Sequence, residues 1–135
     1  MNGKLNFTGI KGRDQIIALW DKAEPLIQKA INVYDEHSIN DIFSSLVEMK
    51  SQLWVAGHND IEAILITQII TRNNKQVCLL ELCAGRGVES IQFLKTIELW
   101  AKDAGCCSIE LIGRPGWKRV LRDYKTNKIT LTKEI

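Results

Sequence analysis

The stretch from Val77 to Leu121, VCLLELCAGRGVESIQFLKTIELWAKDAGCCSIELIGRPGWKRVL, constrains this chain more than any other part of it. It reads as strand, glycine-bearing loop, helix, strand, turn and helix. Gln76 to Cys83 is mostly apolar, with Glu81 as its one charged interruption, and closes on Ala84-Gly85. A run of this kind predicts a strand buried on both faces. From Val88 the period becomes helical: Ile91, Leu94, Ile97, Ala101 and Ala104 share one stripe, flanked by Phe93 and Trp100. Gly105 is placed to stop that helix, and Ser108 to Ile112 reads as a second strand. A strand, helix and strand joined this tightly predict a right-handed crossover with parallel strands.

The loop after the central strand has two readings. Gly85 and Gly87 allow positive φ and close approach by another group. The segment from Ala84 to Glu89 then turns backbone N–H groups outward at a helix start, a cradle for an anion or phosphate. The plainer reading is a turn that needs two glycines. LLELCAGRGVES also has the form of the first motif of nucleotide-methyl-donor methyltransferases. A doubly wound sheet needs more alternating strands and helices than the remaining residues supply, so that fold is set aside.

The rest of the chain fits a single domain spanning residues 1–135. Apolar residues make up 45%, enough for a core, and a net charge of +2 is too small to argue for nucleic acid by itself. No apolar run reaches membrane-spanning length and no secretory segment follows Met1, so the expectation is a soluble protein made in a cytosol. Cys78, Cys83, Cys106 and Cys107 have no C-x-x-C spacing and read as buried free thiols, with neither a metal site nor a disulfide framework.

Residues 1–13 predict a short edge strand through Leu5, Phe7 and Ile10, or an arm draped over the body. Asp14 to Tyr34 is helical in period, with Pro25 predicted to divide it and the main helix to start near Ala23–Pro25. Ser38 and Asp41 form a box-like cap for a second helix, whose face of Ile39, Ile42, Phe43, Leu46, Val47 and Met49 runs on to Lys50. Gln52–Ala56 and Ile61–Thr71 predict an antiparallel hairpin around Gly57-His58-Asn59-Asp60. The turn at Arg72–Lys75 leads into the central strand. His37 and His58 fall in loops and read as solvated. Pro115 opens a last helix that buries Trp117, Val120, Leu121 and Tyr124. Its basic residues, Arg114, Lys118, Arg119, Arg122 and Lys125, are either a solvated face or a contact for phosphate, nucleic acid or an acidic partner. Ile129 to Ile135 alternates strictly and predicts a terminal strand.

This order defines an α+β class with a mixed sheet: two N-terminal helices, an antiparallel meander, a central βαβ crossover, and a C-terminal helix and strand. From about residue 14 onward it resembles the GNAT (N-acetyltransferase-like) fold. Several blocks carry a closer resemblance, to the small GNAT-like proteins encoded by tailed bacteriophages. They are Cys83-Ala84-Gly85-Arg86, Trp100-Ala101, Gly105-Cys106, and Gly113-Arg114-Pro115-Gly116-Trp117-Lys118-Arg119-Val120-Leu121.

The resemblance implies acetyl-CoA as cofactor, with Leu82, Cys83 and Ala84 along the pantetheine arm and Gly85, Arg86, Gly87 and Val88 at the pyrophosphate. It implies Glu81 as general base and Tyr124 as acid toward the leaving thiolate. The family loop reads (Q/R)-x-x-G-x-(G/A). Here Arg86-Gly87-Val88-Glu89-Ser90 keeps an arginine, departs at the later small residues, and puts the Glu89 carboxylate near the phosphate position.

Two functions follow. One is a virion-associated structural or accessory protein with a degenerate acetyl-CoA site, made in the host cytoplasm and carried in the virion. Its partners would be other virion proteins or phage DNA, met through Arg114, Lys118, Arg119 and Arg122. The alternative is an acetyl-CoA-dependent N-acetyltransferase acting on an amine in the host cell. They part at one point of geometry: Trp100 or Trp117 filling the space between the two parallel strands excludes the enzyme.

Overall fold

The computed structural model of the chain describes residues 6–34, 38–57, 60–85, 91–111 and 133. Among these, five strands lie side by side in sequence order: β1 (Asn6–Ile10), β2 (Gln52–Gly57), β3 (Ala63–Arg72), β4 (Lys75–Gly85) and β5 (Ser108–Leu111). The first four are antiparallel neighbours, and β5 joins β4 in parallel, with Val77 opposite Ser108 and Leu80 opposite Leu111. Helices α1 (Arg13–Tyr34) and α2 (Ile39–Val47) cover one face of the sheet, and α3 (Ile91–Asp103) covers the other. The mixed sheet, the hairpin and the parallel strands after the crossover agree with the sequence reading. Of the two readings of the N-terminal residues, the edge strand is the one formed, with Asn6 opposite Gly57 and Ile10 opposite Leu53. The residues expected to form a basic last helix and, apart from Lys133, a terminal strand lie outside the described residues, as do His37 and His58.

Pro25 does not divide the first helix, which runs unbroken from Arg13 to Tyr34. Its buried stripe, Ile16, Ala23, Ile27 and Ile31, passes behind the proline. Pro25 itself is exposed. It removes the hydrogen bond to the Asp21 carbonyl, but that carbonyl is on the solvent side and water can satisfy it. Apolar burial along the other face therefore holds the helix together.

The second helix starts as expected, with the Asp41 N–H donating to Ser38 Oγ at 3.0 Å. It ends earlier than expected, at Val47, so Met49 is no part of its apolar face. Met49 instead adopts a left-handed backbone (φ 63°) and is exposed. The Met49 N–H donates to the Leu46 carbonyl and the Lys50 N–H to the Ser45 carbonyl, at 3.1 and 2.9 Å. This is the closing pattern that usually places glycine at the left-handed position.

The third helix closes the same way with the glycine in place. Gly105 has φ 94°. Its N–H donates to Lys102 and that of Cys106 to Ala101, at 3.0 and 2.9 Å. Leu94, Ile97 and Ala101 form the buried stripe. Ala104, expected on it, lies beyond the last helical turn and is exposed.

On β2 and β3 the faces alternate. Trp54, Ala56, Ala63 and Leu65 pack toward α3, and Leu53, Ile64 and Ile66 toward α1 and α2. β4 changes face partway along: Cys78 and Leu80 pack toward α3, while Leu82 and Ala84 pack toward α1 and α2. Residues at even spacing cannot switch sides in a regular strand. The register explains the switch, since Thr67 is opposite Leu80 and its neighbour Ile66 opposite Leu82. Glu81 is the extra residue of a β-bulge, and it shifts the parity of everything after it.

Two stability predictions follow from the backbone. Gly85 has φ 92°, and a Cβ there would lie 2.1 Å from the Glu62 carbonyl oxygen and 2.8 Å from Ala63 Cα. Gly85→Ala is expected to destabilise by about 2–4 kcal/mol in urea titration, because backbone strain and a backbone clash add. Met49→Gly is expected to stabilise by about 1 kcal/mol in the same assay, since it relieves the left-handed strain at an exposed position.

Candidate functional site

The bulge lies where the sequence placed the candidate base and the cofactor-facing residues. Glu81 is its extra residue and is half-buried. Described pairing between β4 and β5 reaches Leu80 and Leu111, so the bulge begins at the last described rung. β4 then runs on through Leu82, Cys83 and Ala84 to Gly85. A bulge bends its strand and re-aims the following residues, and such irregularities are frequent beside active sites.

The expected site residues have different surroundings. Leu82 and Ala84 are buried against α1 and α2, with only 9% and 8% of their surface exposed. Their side chains belong to the core, so what they can offer a ligand is main chain. Cys83 is half-buried and packs on the α3 side. Gly85 has its open backbone, but the group close to it is the Glu62–Ala63 backbone of the neighbouring strand. The structure therefore needs this glycine for its own packing, whatever the following loop binds. Arg86, Gly87, Val88 and Tyr124 lie outside the described residues, as do Trp117 and the basic residues Arg114, Lys118, Arg119 and Arg122.

Trp100 lies on the α3 side of the sheet. Its ring meets Trp54 of β2 edge to face, with centroids 5.2 Å apart at 77°. With strands about 4.8 Å apart, β2 is about 10 Å from β4 on the side away from β5. Trp100 thus reaches from α3 to a residue of β2, two strands from β4.

A polar group that the sequence reading passed over sits opposite the bulge. Thr67 is fully buried on β3; it accepts from Trp54 Nε1 at 3.0 Å and donates to Gln52 Oε1 at 2.9 Å. The signal was present as a hydroxyl residue within the apolar run from Ala63 to Ile70. It had no meaning until the register set it against Leu80.

Compared with solved structures, the chain shares its fold with acetyltransferases over nearly its whole length. A probable acetyltransferase matches with a TM-score of 0.71 at 12% identity, covering 96% of this chain and 95% of that one. The glucosamine-6-phosphate N-acetyltransferase of Arabidopsis thaliana matches at 0.67 and 12%, covering 97% and 98%. A predicted acetyltransferase from Clostridium acetobutylicum, solved with acetyl-CoA, matches at 0.63 and 14%, covering 98% and 96%. At these identities the likeness is one of fold, and the fold is the GNAT acetyltransferase fold. No protein-family model matches the sequence, and no curated protein matches it. The narrower phage resemblance rests on the sequence motifs alone.

Among the described residues, no group of three or more His, Cys, Asp and Glu side chains could hold a metal ion, and no helix is long and apolar enough to cross a membrane. The four cysteines are free, as expected, but they are not all buried: Cys78 is, Cys83 and Cys106 are half-buried, and Cys107 is exposed. Burial, with a smaller contribution from Cys106 nearby, pushes the Cys78 thiol from its ordinary 9.0 up to about 12. Burial and then Cys107 raise the Cys106 thiol as well.

The pH dependence follows from the Cys78 shift. The folded chain holds the Cys78 proton more tightly than the unfolded chain does. Its contribution is complete below pH 9 and is lost as the pH rises toward 12. Urea midpoints should fall across that window, and less steeply in Cys78→Ala. A thiol reagent should label Cys107 first in the native protein and Cys78 only on unfolding.

Proposed function

We propose that this protein is an acetyl-CoA-dependent N-acetyltransferase acting on an amine. The bulge at Glu81 carries the reading. It lies on the central strand of an acetyltransferase fold, at the last described rung of the β4–β5 ladder, and it re-aims the strand segment that follows. Acetyl-CoA supplies an acyl group activated as a thioester, on an arm that contains two amides.

An extended strand presents N–H and C=O groups at a spacing that such an arm can match, as a peptide does when it adds to a sheet edge. The main chain of Leu82, Cys83 and Ala84 is assigned that role. This suits residues whose side chains are committed to the core. Gly85, Arg86, Gly87 and Val88 are assigned the pyrophosphate, at the start of α3. Glu81 takes the proton from the acceptor ammonium, which frees its lone pair for the thioester carbon. The new N–C bond would form as the C–S bond breaks, with Tyr124 protonating the departing sulfur and recovering its proton from the amine nitrogen as the amide forms.

The Trp100 ring packs against Trp54 of β2, which supports the enzyme reading. The virion-component reading, with contacts through Arg114, Lys118, Arg119 and Arg122, draws on residues outside those described, and no observation favours it.

Titration calorimetry of the purified protein with acetyl-CoA tests the proposal. Micromolar affinity is expected, abolished by Arg86→Glu. Assayed by thiol release against a panel of amines, Glu81→Gln should lower kcat by about 100-fold or more and leave KM for acetyl-CoA nearly unchanged. No binding at millimolar acetyl-CoA would end the enzyme reading.

A further inference from the structure

The core on the α3 side contains a polar chain that the mechanism above does not use. Thr67 has none of its surface exposed, and among the described residues the only other buried polar side chain is Ser51. Both hydrogen-bonding directions of the Thr67 hydroxyl are engaged, one with Trp54 Nε1 and one with Gln52 Oε1. The Trp54 ring is confined on two further sides. It lies over Gly9 of β1, where a Cβ would come within 3.0 Å of Cζ3. It also meets Trp100 edge to face. Thr67 stands where the β3–β4 register shifts, opposite Leu80 and beside the pair Ile66–Leu82 that brackets Glu81.

We infer that Thr67 is a positioning residue for the cofactor strand: its hydroxyl fixes the Trp54 indole, and Trp54 holds Trp100 over β2, away from the β4 segment beyond the bulge. The inference rests on the proposed acetyl-CoA site for its functional half. Its physical half stands on the geometry alone. Rotating the Trp54 ring leaves a buried indole N–H without its acceptor, so a single ring orientation is selected. An edge-to-face pair has a preferred mutual geometry, so fixing one ring directs the other. Trp100 is half-buried on a helix that packs against β5. Freed from Trp54, its side chain can take other rotamers on the α3 face of the sheet, where Cys83 of the cofactor strand also packs. Loss of the hydroxyl therefore lowers the fraction of molecules with an open site, and apparent affinity falls with that fraction.

The test uses Thr67→Val, which keeps the shape and removes the hydroxyl, and Thr67→Ser, which keeps the hydroxyl. Trp54→Phe removes the same hydrogen bond from the other side, should the valine variant fold poorly. Two readouts are taken. NMR follows the Trp54 indole N–H, its nuclear Overhauser contacts to Trp100, and the Ile66–Leu82 and residue 67–Leu80 cross-strand contacts. Calorimetry follows acetyl-CoA. Thr67→Val and Trp54→Phe are expected to keep the β3–β4 register, lose the Trp54–Trp100 ring contacts, and weaken acetyl-CoA binding about five- to tenfold. Thr67→Ser should restore both.

Ring contacts unchanged in Thr67→Val would overturn the inference. So would loosened rings with unchanged affinity. A wild-type protein that binds no acetyl-CoA defeats the proposed function and the functional half together, and the ring contacts then still decide the physical half.

Discussion

β4 lies between two helical layers, and both of its faces must be apolar for most of its length. A regular strand would send Cys78, Leu80, Leu82 and Ala84 to one side. The bulge at Glu81 divides them, two toward α3 and two toward α1 and α2. Sliding the bulge by one residue would bring the Glu81 carboxylate into a buried position that Leu80 now fills, and burying an uncompensated charge is costly. The apolar pattern on either side therefore holds the irregularity in place. A local defect in the ladder becomes a fixed feature of the fold.

Much of the remaining structure is arranged around that point. β3 carries the partner positions, with Ile64 and Ile66 on one face and Leu65 and Thr67 on the other. Gln52, Thr67 and Trp54 tie β2 to β3 beside the bulge through two hydrogen bonds, one buried and one partly buried. Gly9 leaves room on β1 for the Trp54 ring, and Trp100 brings α3 against it. Farther along, Arg72 of β3 pairs with Glu110 of β5 across β4. That pair is partly exposed, so it contributes little to stability compared with the burial beneath it. Gly85 ends the strand where the Glu62 carbonyl leaves no space for a side chain.

A fold of this kind hosts function through what it leaves open. Among the described residues, the β4–β5 ladder reaches Leu80 and Leu111, and the half-buried Glu81 begins the β4 segment beyond it. The side chains of Leu82 and Ala84 are absorbed by packing, which moves their assigned role from side chain to backbone.

Among the described residues, the sequence by itself determined the elements and their order. Periodicity marked α3 and the strands, glycine at 105 marked a helix end, and Ser38 with Asp41 marked a helix start, because each of these is a local preference of a few residues. Local rules misjudged Pro25, where burial of Ile16, Ala23, Ile27 and Ile31 outweighed one lost hydrogen bond on the wet side. They misjudged Met49 too, where the turn into β2 imposed a conformation that methionine does not favour. Glu81 was legible as an interruption, but its role as a bulge was not. Parity is a property of a strand against its partner, and the partner is set only when β3 and β4 pair. The tertiary structure likewise decided that Gly85 serves a neighbouring strand and that Thr67 sits beside the bulge. Both depend on contacts between residues distant in sequence, which no local pattern encodes.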